Sequence, residues 1–457
     1  MSYIAELKDK RILIVGAGTT GKSVARFLEI IGANFAIIDE KISNLDGIEV
    51  FNNLPDDIAF DLAIVSPGWR KDHPVILNLF SKGVDVLSEL DFAWLLKSEL
   101  NPEQKWLALT GTNGKTTTVQ MLESILISAG VSGIACGNVG TTVVEAVTSE
   151  NQFEVLALEL SSFQIAWSSL PEYAAVAILN IAEDHIDWHG SFAEYAEAKL
   201  KLLTQTSIAV LNLNDSEIIL RSASWNGKKI FFGLDTPQAG EIGLVEELLV
   251  DRAFVKSPDA AEVLAELSDI KPAVPHNVSN AMAAAGLALV IGIKRSEVKS
   301  GIASFKLDSH RLQTVLSKDG IDWVNDSKAT NPHAASAALL SHLSNVWIAG
   351  GLAKGAKMDE LIQRTSSRIK AAIIIGRDGE LIATALTKHA PKVKIHRIDS
   401  AIGAEDLMDQ VVSCALKIAS TGDTVLLAPA CASMDQFSSY AERGNLFTAA
   451  VSRMVGK

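Results

Sequence analysis

Trp106-Leu107-Ala108-Leu109-Thr110-Gly111-Thr112-Asn113-Gly114-Lys115-Thr116-Thr117-Thr118 reads as a buried strand, a glycine-containing turn and the opening of a helix, which the amphipathic residues 119–129 continue. Such a turn aims backbone N–H groups and the positive end of a helix dipole at an anion. Lys115 adds a point charge for outer phosphates, and Thr116 a hydroxyl for Mg²⁺. The common phosphate-loop pattern wants a glycine where this chain has Leu109, and the nearer glycine is Gly111, so the loop is a variant.

At 457 residues the chain exceeds one hydrophobic core, and a prior of about 150 residues per domain predicts about three. Hydrophobic content of 48% with 21% charged residues is that of a globular protein and excludes a disordered chain. The start, Met1-Ser2-Tyr3-Ile4-Ala5-Glu6, lacks the basic and apolar segments of a secretory signal. Residues 278–293, the longest uncharged apolar-leaning run, fall short of the ~18 to 20 apolar residues a bilayer span needs. Cys136, Cys414 and Cys431 show no metal-ligand spacing and read as reduced thiols in a cytoplasm. A net charge of −13 without long acidic blocks argues against nucleic acid as a partner.

Residues 1–98 alternate strand and helix patterns. The apolar run 11–15 is followed by Gly16-Ala17-Gly18-Thr19-Thr20-Gly21, a helix pattern, and a second strand ending at Asp39. This G-x-G-x-x-G turn reports a diphosphate at a helix N-terminus and an acid near a ribose, and it does not separate NAD from another nucleotide diphosphate. A third strand, 62–65, ends in Ser66-Pro67-Gly68, where Gly68 serves either a ligand or a simple turn. The polar Asn101-Pro102-Glu103-Gln104 makes a linker to the phosphate-loop domain. There, Glu159 ends a strand expected beside the phosphate-loop strand, where a Mg²⁺ ligand belongs. His185 follows another strand end, and Lys199, on a helix capped by Ser191, reads as a solvated lysine. Asn277 and Asn280 share one face of a helix's first turn and suit either a purine or a cap. A third unit starts near Leu307, and Asp326-Ser327-Lys328, residues 350–355 and Pro429 to Phe437 fall at strand ends along one polar edge.

The ordered motifs Thr110 to Thr116, Glu159 to Phe163, Asn180 to Asp187, His276 to Asn280, His310-Arg311, Asp326 to Lys328 and Gly350 to Lys354 together resemble the Mur ligases, ATP-dependent amide-forming enzymes of peptidoglycan synthesis. Asn325 to Asn331 and Ser433 to Phe437 are similar to the member that joins D-glutamate to UDP-N-acetylmuramoyl-L-alanine. The resemblance covers nearly the whole chain. It implies an α/β fold of three domains: Rossmann-like and UDP-substrate-binding (1–98), P-loop ATPase-type (99–307), and Rossmann-like and amino-acid-binding (308–457). It also implies a cytoplasmic monomer that takes only small-molecule substrates and works with ATP and two Mg²⁺ ions, Mn²⁺ being a substitute.

Carried over residue by residue, the resemblance assigns Gly111, Thr112, Asn113, Gly114, Lys115, Thr116, Thr117, Asn280, Arg311 and Asp326 to ATP. The metal set is Thr116, Glu159, His185 and Lys199, the lysine carbamylated and so turned into an anionic ligand. Gly18, Thr19, Asp39, Glu40, Gly68 and Asn138 fall to the UDP-substrate, and Lys328, Thr330, Lys354, Ser433 and Tyr440 to D-glutamate. Lys115, His185, Lys199, Lys328 and Lys354 are the catalytic group. The chain departs from the family pattern at Ala182, where many members carry Ser or Thr, and at Trp188, where many carry Arg. Rival readings are a sister ligase, a folylpolyglutamate synthase sharing the ATPase core, an NAD-dependent oxidoreductase built on the Gly16 turn, and a non-catalytic nucleotide switch.

Overall fold

Three sheets form from three successive stretches of chain in the computed structural model, which describes residues 2–45, 47–54, 58–398 and 403–456. By internal contacts they make two compact units, Met1–Ile181 with Trp188–Phe305, and Ala182–Asp187 with Lys306–Lys457.

In the first unit, strand Arg11–Val15 lies between Asn34–Ile38 and Leu62–Val65, all parallel. Ile12, Leu13, Ile14 and Val15 are buried on both faces, as a central parallel strand requires. From this strand the chain goes first to Asn34–Ile38 on one side and later to Leu62–Val65 on the other, so the carboxyl end of Arg11–Val15 is a switch point where ligands bind. The second sheet has nine strands, and the phosphate-loop strand Lys105–Thr110 sits between Ala175–Ile178 and Val155–Glu159, again parallel. The sequence expectation that Glu159 ends a neighbouring strand is met, with Glu159 in register with Leu109. Residues 205–270, which carried no motif, supply the outer strands, including an antiparallel pair at Glu241–Val245 and Leu248–Asp251.

The polar linker at 101–104 is not a gap in the core. One apolar cluster runs from Leu7, Ile12 and Ile14 through Leu90, Phe92 and Leu96 to Trp106, Val144, Leu156 and Ile178. The first two sheets therefore share a hydrophobic core on one side, while helix Pro275–Val290 and helix Lys115–Ser128 cover the other face of the second sheet.

The join carries two buried acids. Helix Glu89–Leu100 is capped by Ser88, whose side chain accepts from Asp91 N–H. Asp91 Oδ1 in turn accepts from Ser168 Oγ (3.1 Å) and from the N–H groups of Ser169 and Leu170 (both 2.8 Å). Glu89 Oε1 accepts from Val144 N–H (3.0 Å) at the start of helix Val143–Val147.

In the second unit, strands run Gln313–Lys318, Ile321–Asn325, Thr424–Leu427, Asn345–Gly350, Ile369–Ile375, Lys394–Arg397 across the sheet. The first pair is an antiparallel hairpin and the rest are parallel. Because Ile321–Asn325, Thr424–Leu427 and Asn345–Gly350 are adjacent, the loops after them open side by side on one edge.

Burial pushes the Glu89 carboxyl up to about 7 from its usual 4.5, against the pull of the Val144 and Val143 N–H groups. A folded pKa above the unfolded one means full stability below pH 4.5 and a loss as pH rises through 7. Glu89→Gln, which stays neutral and still offers an acceptor, is expected to melt close to wild type at pH 5 and above it at pH 8, the gap approaching on the order of 3 kcal/mol. Melting curves at the two pH values check this, and an equal gap at both would refute it.

Candidate active site

The phosphate loop is fixed by the strand beside it. Asn180, just past Ala175–Ile178, accepts from Asn113 N–H through Oδ1 (2.8 Å) and donates Nδ2–H to Asn113 O (3.0 Å). Its carbonyl accepts from Thr112 N–H (2.9 Å). Sequence reasoning placed Asn180 in a motif but gave it no role. Its signal was an amide two residues beyond a strand that flanks the loop.

Gly114 is the N-cap of helix Lys115–Ser128 at φ +83°, and a Cβ there would overlap Asn280 Oδ1. The asparagines on the helix Pro275–Val290 thus part company: Asn280 backs the phosphate turn, whereas Asn277 donates to Pro272 O (3.1 Å) and secures the preceding loop. Lys115 Nζ donates to the carbonyls of Gly111 (2.9 Å) and Thr112 (3.0 Å). Thr116 and Thr117 are both buried on the first turn.

Lys199 corrects the reading of a solvated helix lysine. It is 1% exposed, and its Nζ donates to the same Gly111 carbonyl (2.9 Å) while lying 4.6 Å from the centre of the Tyr195 ring. The physical reason is the helix direction, since Phe192–Leu200 turns the face bearing Tyr195 and Lys199 inward. Tyr195, which sequence reasoning missed, holds its hydroxyl 3.0 Å from Thr112 Oγ1.

Glu159 is 2% exposed; Oε1 accepts from Asn138 Nδ2–H (2.8 Å), and Oε2 meets no hydrogen-bond partner among the described residues. Asn138 N–H also donates to Glu159 O (2.8 Å), so both ends of Asn138 are spent on orienting this acid. A buried carboxylate oxygen of this kind beside a phosphate loop fits a hard cation. No three His, Cys, Asp or Glu side chains gather as a metal group among the described residues.

At the other switch point, Gly18 starts helix Thr19–Ile31 without a side-chain cap. Asp39 holds this turn, accepting from Ala17 N–H through Oδ2 (2.9 Å) and from Lys41 and Ile42 N–H through Oδ1. Glu40 accepts from His73 Nε2 (3.0 Å), whose Nδ1 is taken by Val75 N–H. Gly68 has open space where a Cβ would stand, and its carbonyl accepts from Trp188 Nε1–H (3.4 Å). Trp188 O accepts from Arg70 (2.9 Å), so a tryptophan and an upstream arginine occupy this corner of the first unit.

In the second unit the edge loops are tied together. Lys328 Nζ donates to Tyr440 OH (2.9 Å) and lies 4.1 Å from its ring centre, joining two residues assigned to D-glutamate. The loop of exposed Lys354 is bridged to that of buried Ser433 by Leu352 N–H to Ala432 O (2.8 Å) and the reverse bond (2.9 Å). Thr330 N–H donates to Lys328 O (2.9 Å). His310, Leu312, Lys354 and Ala430 all take left-handed backbone, a cluster of strain typical of a functional edge. Burial pushes Asp326 up to about 7, opposed by Leu312 N–H and the Arg311 charge, so these two residues assigned to ATP lie together.

Two supports in this unit had no sequence signal beyond their types. Arg443 is fully buried and donates to Ser327 Oγ (3.0 Å), Ser327 O (2.9 Å) and Cys431 O (3.2 Å). Asn325 Nδ2 bonds His310 Nδ1 (2.9 Å) and Gly444 O (2.9 Å). His185 belongs with this unit, at φ +53°, with its N–H on Asp184 Oδ1 (3.0 Å).

Residues 109–288 match the Mur ligase middle domain, and residues 310–431 the glutamate ligase domain of Mur ligases. The chain is 42% identical to the UDP-N-acetylmuramoylalanine--D-glutamate ligase of Thermobifida fusca over 99% of its own length and 100% of the relative's. It is 42% identical to that of Streptomyces coelicolor over 98% of each. Among solved structures it is similar to the UDP-N-acetylmuramate-alanine ligase MurC of Thermotoga maritima (TM-score 0.58, 18% identity, 98% and 100% covered). It is similar also to the MurF ligase of that organism in complex with ADP (TM-score 0.59, 15% identity, 99% and 97% covered). These two likenesses carry the multi-domain α/β fold.

Gly114→Ala is expected to raise the Kd for ATP at least about tenfold, since a non-glycine residue at this φ costs ~1 to 3 kcal/mol and its methyl group meets Asn280. Calorimetric titration with ATP measures it, and an unchanged Kd would remove the turn from nucleotide binding.

Proposed function

The chain belongs to the Mur ligase family, and from that premise we propose that it joins D-glutamate to UDP-N-acetylmuramoyl-L-alanine at the expense of ATP, in peptidoglycan synthesis. The observation that carries the reading is Glu159, a buried acid in register with the phosphate-loop strand, oriented by Asn138 and left with one oxygen for a cation.

A carboxylate is a poor electrophile, so it must be activated. The terminal alanine carboxylate attacks the γ-phosphorus of ATP, an O–P bond forms, the β,γ-bridging bond breaks, and ADP leaves an acyl phosphate behind. Charge on the transferring group is met by Lys115, by the N–H groups of the Gly111 to Thr116 loop, and by Arg311. Glu159 and Thr116 would hold Mg²⁺, with His185 and a carbamylated Lys199 assigned to a second ion, and such ions would supply further neutralisation. The deprotonated amine of D-glutamate then attacks the acyl carbon, and the tetrahedral intermediate expels phosphate to leave the amide. Lys328, Lys354, Thr330, Ser433 and Tyr440 hold the amino acid, the two lysines through charge-assisted hydrogen bonds of roughly 1.5 to 3 kcal/mol to its carboxylates. Gly18, Thr19, Asp39, Glu40, Gly68 and Asn138 serve the nucleotide substrate.

Residues 1–98, 99–307 and 308–457 divide these tasks, and because an acyl phosphate hydrolyses in water, the reaction requires solvent to be excluded from it. In this reading the enzyme acts as a cytoplasmic monomer. No helix among the described residues is long and apolar enough to cross a membrane.

Phosphate release is expected only when ATP, UDP-N-acetylmuramoyl-L-alanine and D-glutamate are all present, and not with L-alanine or meso-diaminopimelate in place of D-glutamate. A colorimetric phosphate assay across amino acids tests this, and equal release with another amino acid would overturn the assignment. For Lys199, the charge reversal that carbamylation brings predicts that Lys199→Ala loses activity and regains part of it in millimolar short-chain carboxylic acids. The absence of any rescue across formate, acetate and propionate would count against the carbamate.

A further inference from the structure

Trp69 stands at the first switch point with its indole nitrogen turned to the glycine turn. Its Nε1 lies 3.0 Å from where a Cβ at Gly16 would stand, and Ser66 Oγ and Cβ lie 2.7 and 2.8 Å from the same point. Gly16, at φ +102°, thus carries no side chain because the 66–69 loop already fills the space beside it. The ring is held from several directions. Trp69 N–H donates to Ser66 O (3.2 Å), Trp69 O accepts from Trp167 Nε1–H (2.8 Å), and the ring meets His73 edge-on with centres 4.6 Å apart. His73 is itself fixed by Val75 N–H and Glu40.

The half-buried indole N–H so placed donates to no described residue and is not sealed from solvent, so its position leaves it open to a ligand. Beside it are the open N–H groups at the start of helix Thr19–Ile31, whose Gly18 cap has no side chain to satisfy them. A fixed, unspent donor next to an anion-binding turn calls for an anionic oxygen.

We propose that the indole N–H of Trp69 donates to the anion held on the Gly16–Thr19 turn, and that Trp69 thereby helps set the affinity for the nucleotide substrate. The inference rests on the reading above, in which that anion is the diphosphate of the uridine nucleotide. Asp39, the acid expected near the ribose, spends its oxygens on Ala17, Lys41 and Ile42, so it shapes the turn while Trp69 reaches the ligand.

The test compares wild type with Trp69→Phe, which keeps an aromatic ring against His73 and removes only the donor. Calorimetric Kd values for UDP and for UDP-N-acetylmuramoyl-L-alanine are expected to rise about tenfold, the scale of one charge-assisted hydrogen bond. The KM for the nucleotide substrate rises with them, while the KM values for ATP and D-glutamate stay within about twofold, as one lost contact to one substrate requires. In protein labelled with ¹⁵N-tryptophan, the indole resonance that Trp69→Phe removes is expected to shift on adding UDP to wild type. Wild type that fails to bind UDP overturns the diphosphate reading of the turn. Wild type that binds UDP, with Trp69→Phe equal to it or the indole resonance unmoved, overturns the role of Trp69 alone. Should Trp69→Phe melt well below wild type, the resonance shift in wild type decides the matter.

Discussion

Two ammonium groups share one carbonyl oxygen at the centre of the first unit. Lys115 and Lys199 both donate to Gly111 O at 2.9 Å, which puts their nitrogens within about 6 Å of each other. At that separation their repulsion is on the order of 3 kcal/mol for an effective dielectric near 20. The loop therefore favours anything that brings negative charge to it, a phosphate group above all. A carbamate on Lys199 goes further, because it replaces repulsion with attraction and supplies an oxygen ligand where an ammonium supplies only donors. Everything nearby holds this arrangement still: Asn180 clasps Asn113, Tyr195 meets Thr112, and Asn280 backs Gly114.

Holding it still has an energetic logic. Transition-state stabilisation by donors and charges costs no reorganisation only if they are in place before the reaction. Parallel strands provide that, because their carboxyl ends open on one edge and each loop is anchored by the hydrogen-bonded strand behind it. The second unit uses the same device with more strain, placing His310, Leu312, Lys354 and Ala430 in left-handed backbone and pinning Ser327 and Cys431 with the buried guanidinium of Arg443. Burial lowers the Arg443 pKa to about 10, still far enough above neutrality to keep the charge that makes those three bonds strong.

The phosphate loop, the switch-point turn and Glu159 were legible in the sequence because each is a local pattern: an apolar run, then glycines or an acid at its end. Lys199 was misread for the opposite reason. Its burial depends on which face of helix Phe192–Leu200 turns inward, and that is set by packing against a loop eighty-eight residues earlier in the chain. Asn180 and Tyr195 were hidden likewise, since an amide or a phenol carries no motif until its partner is known. Asp39 sits at the expected strand end and Asn138 just past strand Gly133–Gly137, but their oxygens and amides are engaged with neighbouring backbone and with Glu159. The domain boundary near residue 98 was read from polarity at 101–104, and polarity there reports a surface turn; the apolar cluster from Ile14 to Ile178 passes beneath it.

That shared core bears on how the reaction is organised. If the Gly16 turn and the phosphate loop were on domains that moved independently, each turnover would have to recreate their spacing. Instead the strands behind both turns bury side chains in one cluster, and Glu89 and Asp91 bond into the loops of the second sheet from the helix that leaves the first. Shearing the two sheets apart would expose that cluster and leave two buried carboxylates without their N–H donors, a cost of several kcal/mol. The two turns proposed for the nucleotide substrate and for ATP therefore lie on one body, which suits a first step in which a carboxylate must reach a phosphorus atom in line. The amine is needed only afterwards. It is consistent with this order that the lysines assigned to the amino acid belong to the other unit, whose core is separate.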